Sequence, residues 1–157
     1  MADSATLKGS KIYICATAQS ADLNQAGYEA LTWLEIVGTT TLPTPGTSDN
    51  IINLDFIDQQ QTEYQKGMIA GQQSTLTVSP DPDDAGQNAL RVASATNLNY
   101  AFYIDYADET PDETTGTVRY FRGLVGRGTV EGAGPEDFVL ESYPINVNGQ
   151  PVVVYRS

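Results

Sequence analysis

The chain has 157 residues, 40% of them hydrophobic, enough for one domain that buries a sizeable core without disulfides or metal. Twenty acids face eight bases and there is no histidine, giving a net charge of -12. That balance excludes a protein that grips nucleic acid or an anionic membrane, because phosphate binding needs clustered Lys and Arg.

Other classes fall away on composition. No run approaches the roughly 18 apolar residues of a membrane helix, and the N-terminus lacks the basic and apolar parts of a secretion signal. The expected place is a reducing cytoplasm. Cys15, the one cysteine, sits in the apolar run Ile12-Tyr13-Ile14-Cys15-Ala16 and reads as a small core residue. Without histidine there is no Ser-His-Asp or Cys-His constellation, and an enzyme is not expected. No cofactor is implied.

The elements follow in chain order. Residues 11–18 are an apolar, β-branched strand. Leu31 to Val37 reads as a second strand and carries the only tryptophan, Trp33. Prolines 43 and 45 make a loop, and Asn50 to Ile57 is extended again. Asp58 to Gln73 is polar, glutamine-rich and without clear periodicity, so it is expected as a long loop, and loops of that length are usually functional or disordered. Met68 and Ile69 interrupt its polarity as anchors for a partner.

Leu76 and Val78 alternate with Thr75, Thr77 and Ser79, a half-buried strand. Asp83 and Asp84 then open a helix over 83–96, where acids meet the positive end of the helix dipole and can cap free N–H groups. Its apolar face is expected on Ala85, Ala89, Val92 and Ala93, with Leu90 at the margin. Asp81, Asp83 and Asp84 lack the spacing and the closing glutamate of a calcium loop.

Tyr100 to Tyr106 is the strongest strand: Tyr100, Phe102, Ile104 and Tyr106 share one face, and Ala101, Tyr103 and Asp105 the other. An acidic turn leads into Thr117 to Val125, and the two strands are expected to form a hairpin. The glycines of 123–134 read as bends in a twisted strand rather than a phosphate loop, which would end in Gly-Lys-Ser/Thr. Phe138 to Val147 is a strand, and Asn148-Gly149 signals a hairpin back into Val152 to Tyr155. The sum is a mostly β chain: a β-sandwich or barrel of about eight strands with one flanking α-helix, in a single domain over 1–157.

Four segments in this order resemble a known family. They are Gly71-Gln72-Gln73-Ser74-Thr75-Leu76-Thr77-Val78, the helix start Asp84-Ala85-Gly86-Gln87-Asn88-Ala89-Leu90, the strand Tyr100 to Tyr106, and Val118-Arg119-Tyr120-Phe121-Arg122-Gly123-Leu124-Val125. The chain is similar there to the N-terminal domain of the major tail (tail tube) protein of lambda-like siphophages. The resemblance implies a structural virion protein. Six copies form a ring with a continuous inner β-barrel, and rings stack into the tail tube that delivers DNA.

It also implies an inter-ring stacking loop over 58–73, with Gln60, Glu63, Tyr64, Lys66, Met68 and Ile69 as contacts. Terminal arms, over 1–10 and Val152 to Ser157, would assist. Partners would be further copies of the chain, a tape measure protein inside the tube, and tail terminator and distal tail proteins at its ends. Viral DNA would pass without specific binding, and no membrane is involved. The protein would reside in the virion tail after assembly in the host cytoplasm.

Six copies at -12 each carry -72, so contacts between copies must be neutral, apolar or paired through arginines, with Arg119, Arg122 and Arg127 as candidates. Glu35, Asp55 and Asp105 are candidate lumen acids that keep a polyanion from sticking. Two alternatives remain open: a tube of a contractile or secretion-type injection machine, and a monomeric β-sandwich serving as a binding or capsid decoration module.

Overall fold

The computed structural model describes residues 8–58, 60–132 and 134–157. Residues 1–7, most of the expected N-terminal arm, lie outside them. The elements are β1 (Lys11–Ala18), α1 (Gln25–Glu29), β2 (Leu34–Glu35), β3 (Thr39–Thr41), β4 (Thr47–Leu54), β5 (Glu63–Gly71), β6 (Gln73–Val78), α2 (Ala85–Ser94), β7 (Asn99–Asp105), β8 (Val118–Val125), β9 (Thr129–Glu131), β10 (Leu140–Val147) and β11 (Val152–Val154). The mostly β architecture is as the residue pattern requires.

Nine strands make one sheet in the order β2-β1-β7-β8-β10-β6-β3, with β11 joined to β8 and β9 to β10. Its two ends, β2 and β3, are consecutive in the chain and only residues 36–38 separate them. The four Cα steps from Glu35 to Thr39 span at most about 14 Å, and the sheet must therefore curl until its ends meet. Ile36 N donates to the Ile12 carbonyl at 2.9 Å and Ser79 N to the Gly38 carbonyl at 2.8 Å, tying both ends. Gly38 makes the corner at φ +80°, where a side chain would be strained.

The alternation in β7 sorts two cores onto the two faces of the sheet. Tyr100, Phe102 and Ile104 join Ile12, Ile14, Phe121, Ile145 and Leu76 in the enclosed core. Ala101 and Tyr103 face a smaller cluster with Cys15, Tyr28, Tyr120 and Trp33, covered by α1 and its flanks. The expected β7–β8 hairpin forms, with Phe102 opposite Phe121. Of the expected 31–37 strand only Leu34–Glu35 pairs as β2; Trp33 lies just before it, and its indole N–H donates to the Tyr28 carbonyl at 3.1 Å.

α2 covers the enclosed core, but it is rotated from the expected face. Gly86, Gln87, Leu90 and Ala93 are buried, whereas Val92 is 61% exposed. Leu90 is central rather than marginal. The rotation follows from two polar anchors. Asp84 caps the helix by accepting from Gln87 N at 3.0 Å and also accepts from Val37 N at 3.1 Å. Gln87, fully buried, donates through Nε2 to the carbonyls of Val37 and Ser79, while its Oε1 accepts from Asp81 N at 2.8 Å. Together they fasten α2 to the segment that closes the sheet.

Asn148-Gly149 does not make the expected hairpin. β10 and β11 both lie antiparallel to β8 on the same edge: Val147 faces Gly123 and Val152 faces Tyr120. Five steps along the outer strand thus span three along β8, and two residues loop out. A hairpin would place β11 beside β10, but that edge is filled by β6. Asp22 holds the jog, accepting from Arg122 Nε at 3.1 Å and from Gln150 N at 3.4 Å. The C-terminal segment is equally built in, because Ser157 bonds to Thr114 and Thr115 and Arg156 Nη1 donates to the Asp108 carbonyl. It is part of the body rather than the arm that the resemblance implies.

Gln87→Leu preserves volume but strands the Val37 and Ser79 carbonyls and the Asp81 N–H. At about 0.5–1.5 kcal/mol net for each of the three hydrogen bonds lost, a loss of about 2–4 kcal/mol is expected in urea unfolding, whereas Val92→Ala should change stability little.

Candidate functional site

The segment expected as a loop over 58–73 is mostly strand. Glu63–Gly71 pairs antiparallel with β4 in a separate two-stranded sheet, and only residues 55–62 form the connecting tip. The misleading signal was the glutamine-rich polarity: on a strand exposed on both faces, alternation with a buried side does not arise. The pair is an overhang of the main sheet. β5 and β6 are separated by Gln72 alone, whose N–H bonds to the Gly46 carbonyl and whose carbonyl accepts from Val147 N. Gly71 lies against the Val147 carbonyl so closely that a Cβ would overlap it. Beyond that root, nine residues of β5 extend about 30 Å at the usual strand rise.

Both faces of this arm carry apolar groups. Directly opposed residues share a face, so Asp49, Ile51 and Asn53 lie with Ile69, Lys66 and Tyr64, and Ile52 lies with Gln65 on the reverse. A register shift between Asp49 and Ile51 accommodates an extra residue in β5. Tyr64 is 67% exposed, Met68 83% and Ile69 54%, and Ile51, Ile52 and Phe56 are exposed beside them. One ion pair, Lys66 Nζ to Asp49 Oδ2 at 3.2 Å, spans the first face. An isolated two-stranded hairpin is at best marginally stable in water. Contiguous exposed apolar groups on such an element mark a binding surface.

Gln60, Glu63, Tyr64, Lys66, Met68 and Ile69 thus all fall on the arm or its tip, brought together by one hairpin. The proposed lumen acids divide. Glu35 faces Tyr13, which faces Tyr103, so Glu35 and Asp105 lie on the same face of the main sheet. Asp55 instead begins the arm's tip. Glu35 is exposed. Asp105 is half-buried in a cleft of about 360 Å³ lined also by Lys11, Tyr13 and Glu109. Burial, then Glu109, raise its carboxyl above the usual range; Lys11 opposes this and Asp108 adds to it.

The three arginines divide as well. Arg122 is held by Asp22 in its own chain, which withdraws it from pairing between copies. Arg119 lies over the Tyr106 ring at 6.0 Å, and Arg127 is exposed with no ion pair among the described residues. The carboxylates of Asp81 and Asp84 serve backbone N–H groups: Asp81 Oδ1 accepts from Asp83 N at 3.0 Å and Asp84 caps α2.

With this geometry, two solved structures share the architecture over nearly the whole chain. A chain of the anti-feeding prophage (AFP) baseplate, a cryo-EM structure with sixfold symmetry applied, matches with a TM-score of 0.68, covering 99% of this chain and 98% of that one at 7% identity. The SPP1 tail tube, a hybrid solid-state NMR and cryo-EM structure, matches with a TM-score of 0.61, covering 94% of this chain and 78% of that one at 15% identity. The chain has the tail tube fold. No protein-family model and no characterised protein matches the sequence. The likeness therefore resides in the backbone path: a curled sheet with a helix across it and a hairpin running past its edge.

The raised Asp105 carboxyl has a definite sign. The fold favours the protonated form, so stability is full below the ordinary value of 3.8 and declines as pH rises through the raised one. Asp105→Asn is expected to raise the melting temperature at about pH 7 and to give no advantage near pH 3, measured by thermal unfolding at both.

Proposed function

We propose that this chain is the repeating subunit of a phage-type tail tube, a structural and non-enzymatic role. Copies close into rings of six with a continuous inner β-barrel, and rings stack into a tube through which viral DNA passes without specific binding. The observation that carries the reading is the β4–β5 arm, apolar on both faces and anchored only at its root, on a body with the tail tube fold. Such an arm has no use in a monomer. A heterologous contact repeated between identical copies closes into rings or runs on as a tube. The sixfold-symmetrised assembly that contains the AFP chain supports rings of six.

Charge fits the same role. At -12 per copy, surfaces that do not meet another copy repel a polyanion, so a bore bearing Glu35 and Asp105 would let DNA slide rather than adhere. A tape measure protein within the tube and terminator and distal tail proteins at its ends would complete the particle in the virion tail. A second reading is a ring or tube component of a contractile injection machine. The fuller match to the baseplate chain favours it, since 98% of that chain is covered against 78% of the SPP1 subunit. A sheath gene beside this one would decide for it. The monomeric binding module fits less well, because Trp33 is packed against Tyr103 rather than presented as a platform.

Replacing residues 49–69 by Asn-Gly, which joins the facing residues Ser48 and Ala70, should leave a folded body that forms no tubes under the electron microscope. Normal tubes from that variant would remove the arm from assembly. For the bore, Glu35→Lys is expected to leave tube formation intact and to slow DNA delivery several-fold by adding a phosphate-binding charge; unchanged delivery would place Glu35 elsewhere.

A further inference from the structure

The molecule has a second unpartnered apolar element, at the opposite end of β10 from the arm. The arm is rooted against Val147, whereas β9 pairs with Leu140–Ser142. Five to seven strand steps separate the two, about 20 Å along the sheet. β9 and its return to β10 form a corner with Val130 71% exposed, Phe138 86% and Val139 55%. Among the described residues β9 pairs only with β10, which leaves its other edge open there. Gly132 turns the chain here at φ +98°, against the Phe138 carbonyl. This corner lies outside both cores and serves neither.

We propose that the corner is the receptor for the arm of the next copy along the tube. The inference rests on the tube reading and adds to it the surface that the arm meets. Three observations select the arm as occupant. It carries an apolar row that lacks a cover, matching Val130, Phe138 and Val139 in kind. It has open backbone edges, as β9 has, so strand addition satisfies both. One charge on the corner also finds its opposite on the arm. Arg127, exposed beside β9, stands ready for the acids of the arm, Asp55, Asp58 and Glu63. Because arm and corner sit at opposite ends of β10, their union is head-to-tail, and repeated without a closing rotation it runs on as a filament.

The test uses two full-length variants. One carries Met68→Ser and Ile69→Ser in the arm, and the other Val130→Ser and Phe138→Ser in the corner. All four side chains are exposed, so melting temperatures should match the parent. Alone, each variant should lose long tubes, with mean length by electron microscopy falling at least tenfold. Mixed in equal amounts, the intact corner of the first accepts the intact arm of the second. Paired species then form that do not elongate, and their appearance also shows that both variants are folded. As a second measurement, a Met68→Cys copy mixed with a Phe138→Cys copy should give a disulfide-linked dimer on oxidation, since Cys15 is buried.

Normal tubes from the corner variant, with none from the arm variant, would overturn the corner while leaving the tube reading intact. Loss in both without pairing on mixing, and without the cross-linked dimer, would overturn head-to-tail docking. A parent protein that forms neither rings nor tubes would overturn the tube reading and the corner with it.

Discussion

The β4–β5 arm carries its strands past the point where the sheet can cover them, and the behaviour of the whole molecule depends on that. Two strands satisfy each other's backbone along one edge only, and they cannot bury side chains on either face. Ile51, Ile69 and Tyr64 on one side and Ile52 on the other therefore stay in water until another surface arrives. A body of this size could stand alone, because its two cores are closed by its own residues. The arm gives it a reason not to.

Rigidity at the root makes the overhang usable. Gly71 lets β5 pass against the Val147 carbonyl, and Gln72 bonds in both directions before β6 enters the main sheet. The direction of the arm is thus set by the sheet rather than by a flexible linker. The sheet is in turn held by the short link from β2 to β3, with Gln87 and Asp84 fastening α2 across that link. A chain of contacts runs from the buried amide of one glutamine to the exposed apolar arm.

Electrostatics sets the opposite limit. In the proposed assembly so few bases cannot hold the copies together by ion pairs, and three arginines are spent inside the chain: Arg91 on Glu141, Arg122 on Asp22 and Arg156 on Glu113. Cohesion must come from apolar area and backbone pairing, both of which the arm and the β9 corner offer. In the proposed tube the remaining acids would keep free surfaces apart from one another and from a passing polyanion.

The sequence by itself determined the strand-rich class, the two faces of β7, the β7–β8 hairpin and the Asp84 cap. Each follows from chemistry within a few residues: period-two alternation, a turn, a carboxylate ahead of a helix. It also marked 58–73 as a segment awaiting a partner, through Met68 and Ile69 in a polar stretch, but not as a strand, because a strand covered on neither face leaves no alternating pattern to read. Only the tertiary structure decided where α2 turns its face, since Gln87 finds its partners 50 and 8 residues away. It alone made Asn148-Gly149 a jog instead of a hairpin, because β6 already fills the edge that β11 would need. The corner at Val130 and Phe138 was equally hidden. Apolar residues in a glycine-rich stretch look like core until the fold shows which of them it leaves outside.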